Sequence, residues 1–360
     1  MTTLSDETRA TFADIRARIA TIPRVSLALT PTPLHEAPQL ARRLGGPRIF
    51  VKRDDLTGVA LGGNKTRNLE FRLAHALRDK PDVVIVGLDL QSNSARQTIG
   101  CCNKLGLSTI LVLEGKIPNE IQGNLLVDYL LGADVRFAGD RDEQRRMLDD
   151  AASEVRAQGL VPHILNDNPM FDVASAIAYI ECTMECLEQL ATVGATPRTL
   201  YMSSSGKGQA GLVLAKRLFD ASVEVRCVTA TREHSVPART AEIANRTAAR
   251  LGLELRISPD EVVNFEGYVG QDYGIPNAAG NEAVKLFAET EGLILDPVYT
   301  GKCAAAMIDH IRRGEFDRQD VVLFIHTGGV PAGIEGFAQP AQIAANPTRK
   351  EGAKRWQART

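Results

Sequence analysis

Short apolar segments of strand length alternate with helix-like segments along most of the chain, and this alternation constrains the fold more than any other feature. The runs 83–86 and 321–325 are examples, with the sequences Val-Val-Ile-Val and Val-Val-Leu-Phe-Ile. Apolar strands that alternate with helices are typical of parallel sheets with helices on both faces. The sequence therefore predicts an α/β fold built from parallel, helix-covered sheets.

The spacing of the apolar residues places the individual elements. Strands are predicted at 48–52, 82–86, 108–113, 134–137, 199–203, 224–229 and 320–326. Helices are predicted at 65–78, 93–105, 119–131, 141–158, 172–190, 209–219, 237–251, 278–291 and 303–313. The 360 residues exceed the usual size of one domain, so two domains are expected.

The composition argues against several classes of partner. The chain has 42 basic and 44 acidic residues and a formal net charge of −2, so it lacks a global positive field that would attract nucleic acid or an anionic membrane. Its apolar runs are far shorter than the ~20 residues that span a bilayer. We therefore expect no nucleic acid or membrane partner. The first residues show no basic region followed by an apolar stretch, which makes the cytoplasm the expected location.

The cysteines and histidines give no sign of a metal site. The six cysteines include no C-x-x-C pair and mostly lie in apolar segments, so buried, reduced thiols are expected. The six histidines are scattered and form no H-E-x-x-H motif, so no catalytic metal is expected. A basic stretch at 346–360 is interpreted as a frayed or surface-docked tail.

A pair of glycines directly before a predicted helix marks the first candidate site. The sequence Gly62-Gly63-Asn64-Lys65 puts Lys65 in the first turn of that helix. The positive end of the helix dipole disfavours an ammonium group there and lowers the pKa of the lysine. A lowered pKa is what an imine-forming lysine needs. A surface lysine beside a tight turn is the simpler alternative.

A second candidate site follows the strand predicted at 82–86. Ser92, Asn93 and Ser94 all favour the N-cap position of the next helix, and Gln97 lies one turn further on. Hydroxyl and amide groups at a helix N-terminus bind small anions, so this segment can hold a carboxylate. Simple helix capping explains the same residues.

A third candidate site lies between the strand 199–203 and the helix 209–219. The sequence Ser203-Ser204-Ser205-Gly206-Lys207-Gly208 has the composition of a phosphate-binding loop. The segment 206–211 also matches the G-x-G-x-x-G dinucleotide fingerprint. That fingerprint requires an acidic residue at the end of the following strand, where Glu233 comes too late. A plain strand-to-helix turn remains a third possibility.

The fourth candidate group lies near the end of the predicted fold. Tyr273 and Tyr299 are two of only six tyrosines, and both occur in turns rich in glycine and proline. Thr327 precedes Gly328-Gly329 directly after the last predicted strand. Loop tyrosines often serve only in packing, and this alternative stays open.

Taken together, the four segments resemble fold type II pyridoxal-phosphate enzymes, which are tryptophan synthase β-like. More narrowly, they resemble the D-cysteine desulfhydrase / 1-aminocyclopropane-1-carboxylate deaminase family, from about residue 30 to residue 336. The motifs that carry the resemblance are Gly-Gly-Asn-Lys-x-Arg, Ser-Asn-x-x-Arg-Gln, Tyr-x-Gly-Lys and Thr-Gly-Gly. Each motif is weak alone, and their occurrence together in this order is specific.

The resemblance implies pyridoxal 5′-phosphate as the cofactor and a role for each motif. It implies that Lys65 forms the internal aldimine, that Asn93 contacts the cofactor ring and that Thr327 lies near the ring nitrogen. The implied cofactor-binding set is Lys65, Asn64, Asn93, Ser204, Ser205, Gly206, Lys207, Gly208 and Thr327. The implied substrate-binding set is Ser92, Asn93, Ser94 and Gln97. The implied catalytic set is Lys65, Ser92, Tyr273 and Tyr299.

The resemblance also implies a domain organisation. A large domain would comprise 1–66 and 181–360, and a small inserted domain would comprise 67–180. The cofactor would lie between the two domains, and the protein would be a homodimer.

Four residues depart from the family pattern and bear on the substrate. Ser94 stands where members often have histidine, and Lys207 and Gln209 occupy a loop that is usually rich in glycine and threonine. Thr300 stands where the ring-opening deaminases have glutamate, which disfavours their reaction.

The function predicted from the resemblance is a pyridoxal-phosphate-dependent lyase that catalyses β-elimination from a small amino acid. An activity like that of D-cysteine desulfhydrase is expected, giving a 2-oxo acid, ammonia and the leaving group. The alternatives are another activity of the family, such as a cysteate sulfo-lyase or a deaminase, an NAD-dependent oxidoreductase, and a non-catalytic amino-acid-binding protein.

Overall fold

A computed structural model describes residues 4–165, 169–219 and 221–331 of the chain. The basic stretch at 346–360 lies outside the described residues. The strands are β1 (Leu34–Glu36), β2 (Arg48–Lys52), β3 (Val83–Asp89), β4 (Ser108–Glu114), β5 (Asp134–Ala138), β6 (Pro162–Ile164), β7 (Thr199–Ser203), β8 (Glu224–Val228), β9 (Val263–Phe265) and β10 (Val321–Ile325). The helices are α1 (Asp6–Ala20), α2 (Pro38–Leu44), α3 (Lys65–Ala76), α4 (Asn93–Lys104), α5 (Gly123–Leu130), α6 (Arg141–Ala157), α7 (Pro169–Thr192), α8 (Lys207–Leu218), α9 (Val236–Arg250), α10 (Ala278–Glu291) and α11 (Thr300–Arg312).

The described strands form two sheets. The six-stranded sheet has the order β1-β2-β10-β7-β8-β9, and the four-stranded sheet has the order β5-β4-β3-β6. Every pairing is parallel except that of β1 with β2, which is antiparallel. The predicted α/β fold with parallel, helix-covered sheets is confirmed, and the edge strand β1 adds one antiparallel pairing that was not predicted. The short β1 was not predicted from the sequence.

Helices cover both faces of the six-stranded sheet. Leu323 and Ile325 of β10 pack in a cluster with residues of α1, α7, α8 and α9. Val322 and Phe324 of the same strand pack in a cluster with residues of α2, α10 and α11. Successive residues of a strand point to opposite faces, so a strand buried on both sides must be apolar at every position.

The four-stranded sheet is covered in the same way. Ile85 and Val112 pack with residues of α6 on one face. On the other face, Val84 packs with residues of α3 and α4, and Val86 packs with residues of α4 and α5. All of the strands of this sheet fall within the predicted small domain, 67–180. The division into two domains stays a prediction, and its boundaries at 66/67 and 180/181 fall inside α3 and α7.

Most predicted elements agree with the structure to within a few residues. The strands at 48–52 and 199–203 and the helix at 278–291 have the predicted bounds. The helix predicted at 119–131 begins only at Gly123, because Gln122 is extended, with φ −149° and ψ 178°. Elements that the sequence analysis missed are α1, α2, β1, β6 and β9.

All six cysteines are buried, as predicted. Among the described residues, no group of histidine, cysteine, aspartate and glutamate side chains could hold a metal ion. Within the same part of the chain, no helix is both long enough and apolar enough to cross a membrane.

Candidate active site

The ends of several strands and the start of α3 meet at one cleft with a volume of about 730 Å³. In open α/β sheets, ligands bind beyond the carboxyl ends of the strands, which is where this cleft lies. Many of the residues predicted to form the site lie on its wall. They are Asn64, Lys65, Ser94, Ser204, Ser205, Lys207, Gly208 and Tyr299.

The other predicted site residues, apart from Gln97, are chain neighbours or hydrogen-bond partners of that wall. They are Ser92, Asn93, Gly206, Tyr273 and Thr327. The structure thus brings together segments that lie far apart in the sequence.

The loop before Lys65 has an unusual backbone. Four successive residues, Ala60, Leu61, Gly62 and Gly63, have positive φ angles of 44°, 64°, 69° and 124°. At Gly62, a Cβ atom would lie 1.9 Å from the main-chain oxygen of Asp55, so there is no room for any side chain. Glycine is therefore required at this position by both its φ angle and the close contact.

The loop that follows β10 supports the loop before Lys65. The main-chain nitrogen of Asn64 donates a hydrogen bond to the oxygen of Thr327 over 3.0 Å. A Cβ atom on Gly328 would lie 2.9 Å from the Cα atom of Gly63, so the two backbones pass in direct contact. The Thr-Gly-Gly motif therefore allows the loop after β10 to pack against the loop that carries Lys65.

A buried arginine that the sequence analysis did not assign to the site holds the same loop from the other side. Arg96 has no exposed surface, and its guanidinium donates to the main-chain oxygens of Ala60 and Gly62, the latter over 2.9 Å. Its Nε atom donates to the side-chain oxygen of Asn124 over 2.9 Å. The amide nitrogen of Asn124 donates to the side-chain oxygen of Asn93 over 3.0 Å. Arg96 and Asn124 therefore connect the Lys65 loop to the start of α4.

Lys65 is half-buried in the wall of the cleft, and its pKa is lowered to about 8. Burial is the largest cause, and the positive charges of Lys207 and Arg72 lower the pKa further. The helix dipole predicts the same direction from the sequence. In the folded chain, loss of solvation and two cations from α8 and α3 also lower this pKa.

Ser92 is the N-cap of α4. Its Oγ atom accepts a hydrogen bond from the main-chain nitrogen of Ser94 over 3.2 Å. The Ser92 hydroxyl therefore caps α4, which is the simpler interpretation of this segment.

Gln97 is fully buried between two helices. Its Oε1 atom accepts a hydrogen bond from the main-chain nitrogen of Thr66 over 3.0 Å, and its Nε2 atom donates to the main-chain oxygen of Asn93 over 2.9 Å. The amide thus ties the start of α3 to the start of α4. Both ends of the amide are engaged within the protein and the side chain does not line the cleft, so the contact of Gln97 with substrate stays a prediction.

The predicted phosphate loop connects β7 to α8. The Oγ atom of Ser204 accepts hydrogen bonds from the main-chain nitrogens of Gly206 and Gln209, each over 3.2 Å. Gly206 has a φ of 118°, which favours glycine. The buried side chain of Gln209 donates to the main-chain oxygen of Val263 over 2.8 Å. The side chain of Gln209, which departs from the family pattern, thus points into the protein and fixes the loop.

Lys207, the second departure in this loop, is held by an ion pair. Its Nζ atom lies 2.7 Å from a carboxylate oxygen of Asp172, and its side chain is 60% exposed. Arg246 contacts the other oxygen of Asp172 over 3.2 Å. All three side chains line the cleft, so this rim carries two cations and one anion.

Glu233, the acidic residue that a dinucleotide-binding site would need, is already paired. Glu233 lies 2.8 Å from the guanidinium of Arg239. Arg239 also donates a hydrogen bond to the main-chain oxygen of Ser205. Because Glu233 serves to hold Arg239 against the loop, the structure does not favour its use as a ribose ligand.

The hydroxyl groups of Tyr273 and Tyr299 form a hydrogen bond with each other, and the centroids of their rings lie 6.0 Å apart. Burial raises the pKa of Tyr299 well above its usual value and also raises the pKa of Tyr273. Both hydroxyls therefore stay protonated at neutral pH. The pair lies where Tyr299 reaches the wall of the cleft.

A buried aspartate fixes Tyr299 at the start of α11. The carboxylate of Asp296 accepts hydrogen bonds from the main-chain nitrogens of Val298, Tyr299 and Thr300 over 2.9, 2.7 and 3.1 Å. The Thr300 hydroxyl donates to the same carboxylate over 2.7 Å. The sequence analysis did not assign Asp296, although aspartate just before a helix is a recognisable capping signal.

Comparisons with known proteins give one consistent family. A family model described as pyridoxal-phosphate dependent enzyme matches residues 25–328. The D-cysteine desulfhydrase of Salmonella paratyphi C is 36% identical over 315 residues, which cover 86% of this chain and 95% of that protein. The D-cysteine desulfhydrase of Yersinia pestis is 35% identical over 325 residues, which cover 88% of this chain and 97% of that protein.

Solved structures agree with these sequence relatives. The crystal structure of an ACC deaminase homologue matches with a TM-score of 0.77 and 31% identity, over 89% of this chain and 96% of that chain. A threonine deaminase from Solanum lycopersicum matches with a TM-score of 0.61 and 16% identity, over 94% of this chain and 89% of that chain. At 16% identity, the second match shows the fold alone.

Proposed function

The chain belongs to the family of pyridoxal-phosphate dependent enzymes, and from this premise we propose that it is a lyase that converts D-cysteine and water to pyruvate, ammonia and hydrogen sulfide. The observation that carries the proposal is the position of the Lys65 amine, whose pKa is about 8, on the same cleft as the Ser204–Gly208 loop and Tyr299. The identity to D-cysteine desulfhydrases over most of the chain supports the choice of substrate.

The residues of the cleft fit the cofactor. The main-chain amides of Lys207 and Gly208 lie in the first turn of α8, where helix geometry leaves N–H groups free to bind a phosphate. The side-chain oxygen of Asn68, in the wall of the cleft, is buried and has no hydrogen-bond partner among the described residues. A polar ligand in the cleft would supply one. We assign the cofactor phosphate to the loop 204–208 and the covalent attachment to Lys65.

When bound, the cofactor supplies a carbonyl group that links to an amine and a conjugated ring that withdraws electrons from the substrate Cα. We assign to the Lys65 Nζ atom the removal of the Cα proton. A pKa of about 8 leaves part of the lysine population neutral, and therefore basic, near neutral pH. We assign to Ser92 and Ser94, at the N-terminus of α4, the binding of the substrate carboxylate.

We assign proton donation to the leaving sulfur to the pair Tyr273 and Tyr299. Their raised pKa values keep the hydroxyls protonated, and their mutual hydrogen bond lets one replace a proton that the other gives up. The overall change breaks the Cβ–S and Cα–N bonds and removes the Cα proton. The sulfur leaves as hydrogen sulfide, the nitrogen leaves as ammonia, and the ketone oxygen of pyruvate comes from water.

The environment of Thr300 favours elimination over ring opening. Thr300 is fully buried, and its hydroxyl donates to Asp296 over 2.7 Å. The Thr300 side chain therefore points into the start of α11, and it offers no acidic group to the cleft. This geometry agrees with the departure from the ring-opening deaminases noted in the sequence.

Product analysis of the purified holoenzyme tests the proposal. D-cysteine is expected to yield equal amounts of pyruvate, ammonia and sulfide, with L-cysteine as the enantiomeric control. Lys65→Ala is expected to abolish turnover, whereas Lys285→Ala, on the exposed face of α10, is expected to preserve it. If the holoenzyme releases no pyruvate from D-cysteine or from β-chloro-D-alanine, the proposed elimination is wrong.

Three further expectations complete the proposal. We propose a homodimer and a cytoplasmic location, and we propose that 1–66 with 181–360 forms a large domain and 67–180 a small one. Support comes from the family resemblance and, for the domains, from the separate sheets. Light scattering of the purified protein measures the first of these directly, and a monomeric mass would contradict it.

A further inference from the structure

A second cavity, which we call the basic pocket, lies beside the cleft. Its volume is about 250 Å³, and its wall comprises residues 22–23, parts of α3, α7 and α9, and Arg78, which follows α3. Phe71, Phe171, Ala174 and Ile177 contribute apolar surface. The pocket therefore has a largely apolar interior.

The ionisable residues of the basic pocket are arginines and one histidine. They are Arg72, His75, Arg78 and Arg250, and within the described part of the chain no aspartate or glutamate lines the pocket. Arg78 and Arg250 are exposed, and neither has an ion pair with a described residue. The Nδ1 atom of His75 is buried and has no hydrogen-bond partner among the same residues. An anionic group would pair with the guanidinium groups of Arg78 and Arg250.

We propose that the basic pocket binds a small monocarboxylate with an apolar body. The apolar wall contacts the body of such a ligand, and the arginines pair with its single negative charge. Ligand sites are commonly concave and apolar with a few polar groups that fix orientation, as here. A bare inorganic anion would leave the apolar wall without a partner, so the ligand class is an organic acid.

Arg72 connects the basic pocket to the cleft. Its guanidinium lies 4.2 Å from the centroid of the Phe171 ring, and both residues line both cavities. The positive charge of Arg72 contributes to the lowered pKa of Lys65. The basic pocket and the cleft therefore share part of one wall.

Calorimetric titration of the holoenzyme with benzoate tests the site, with benzamide as an uncharged analogue of the same shape. Saturable binding is expected for benzoate and not for benzamide. The double variant Arg78→Gln, Arg250→Gln is expected to weaken benzoate about tenfold or more, because it removes two charged donors. Arg42→Gln, Arg43→Gln, on the exposed surface of α2, is the matched control and is expected to leave the affinity unchanged.

Equal affinity for benzoate in the double variant and in the unaltered holoenzyme would overturn the proposal, since the ligand would then bind elsewhere. Binding of benzamide as tight as that of benzoate, or no binding of benzoate at millimolar concentration, would overturn it equally. Ala174→Phe fills the pocket from α7 and is expected to abolish binding. The double variant alters only exposed side chains, so it decides the question even if Ala174→Phe does not fold. Because no readout uses D-cysteine, the result is independent of the proposed lyase activity.

Discussion

The buried guanidinium of Arg96 donates a hydrogen bond of 2.9 Å to the main-chain oxygen of Gly62, three residues before Lys65. The two residues lie on different elements, and the bond reaches a stretch of backbone in which every φ is positive. Such conformations persist only where the surroundings hold them. Arg96 therefore determines the shape of the loop from which Lys65 enters the cleft.

Replacing Arg96 with methionine is expected to destabilise the fold. The change leaves the oxygens of Gly62 and Asn124 buried without their donor. Each such acceptor costs about 1–3 kcal/mol, so the two together are expected to lower the free energy of unfolding by about 2–6 kcal/mol. Urea denaturation measures it. Arg217→Met, at an exposed ion pair, is the control, and an equally small loss in both variants would contradict the role of Arg96.

Lys65 is expected to be the residue that carries the cofactor. Borohydride treatment of the holoenzyme followed by peptide mapping should place the pyridoxyl label on Lys65 alone. Lys52 is unsuited because it is fully buried, with its Nζ atom 2.7 Å from Glu185. Lys207 is occupied by Asp172. A label on either of these lysines, or on Lys302, would contradict the assignment.

The reactivity of Lys65 is expected to rise with pH around 8. Below its pKa of about 8 the amine is protonated and inert, and above it the amine is neutral and nucleophilic. Competitive acetylation of the apoprotein at a series of pH values, followed by mass spectrometry, gives the pH at which Lys65 reacts at half its maximal rate. We call this pH the midpoint. Lys207→Gln removes a cation that lowers this pKa, so the midpoint should move to higher pH. Lys285→Gln is the control, and equal midpoints in the two variants would show that the charge of Lys207 does not reach Lys65.

Gly206→Val is expected to weaken cofactor binding by about tenfold or more. Gly206 has a φ of 118°, and a Cβ atom there would lie 3.2 Å from the Thr240 hydroxyl. The loop must therefore shift, and its amides lose their alignment. Gly267→Val tests the same substitution where no atom lies within 4 Å of the Cβ position. Absorbance titration with pyridoxal phosphate measures the affinity, and undiminished binding in Gly206→Val rejects the loop as the phosphate site.

Tyr299→Phe is expected to lower kcat by about 10²–10⁴-fold, the usual contribution of a general acid. The ring and its packing remain, so cofactor binding should not change. Tyr268→Phe is a suitable control, because its hydroxyl donates to Asp309 over 2.5 Å and does not line the cleft. A Tyr299→Phe enzyme with full kcat would remove the tyrosine pair from the reaction.

The sequence predicts the fold where a segment is long and its spacing regular. The bounds of β7 follow directly from its apolar run. α1 was missed although Phe12, Ile15 and Ile19 recur at helical spacing and Ser5 caps the helix, so the signal was present. The strands β1, β6 and β9 have three residues each, which is too short for a period to be recognised.

The site could be predicted to the extent that its residues lie in glycine-rich or capping motifs. Lys65, Ser94 and the loop 204–208 belong to such motifs, and the structure places them on one cleft. Arg96 was not assigned, and the contacts of Gln97 within the protein were not foreseen, because both side chains bind residues about thirty positions away, on other elements. Whether a polar side chain faces a ligand or another loop is decided only when the helices pack.

The contact between the loop after β10 and the loop before Lys65 also determines how the two halves of the cleft can move. The Asn64–Thr327 hydrogen bond and the close contact of Gly328 with Gly63 attach the backbone before Lys65 to the six-stranded sheet. The start of α4, by contrast, belongs to the layer packed on the four-stranded sheet. A rotating body moves least at its pivot and most at its far edge. Arg96 and Gln97 of α4 bind the backbone on either side of Lys65, so the start of α4 lies close to this pivot. Any swing of the four-stranded layer would therefore carry Ser92 and Ser94 through only a short arc.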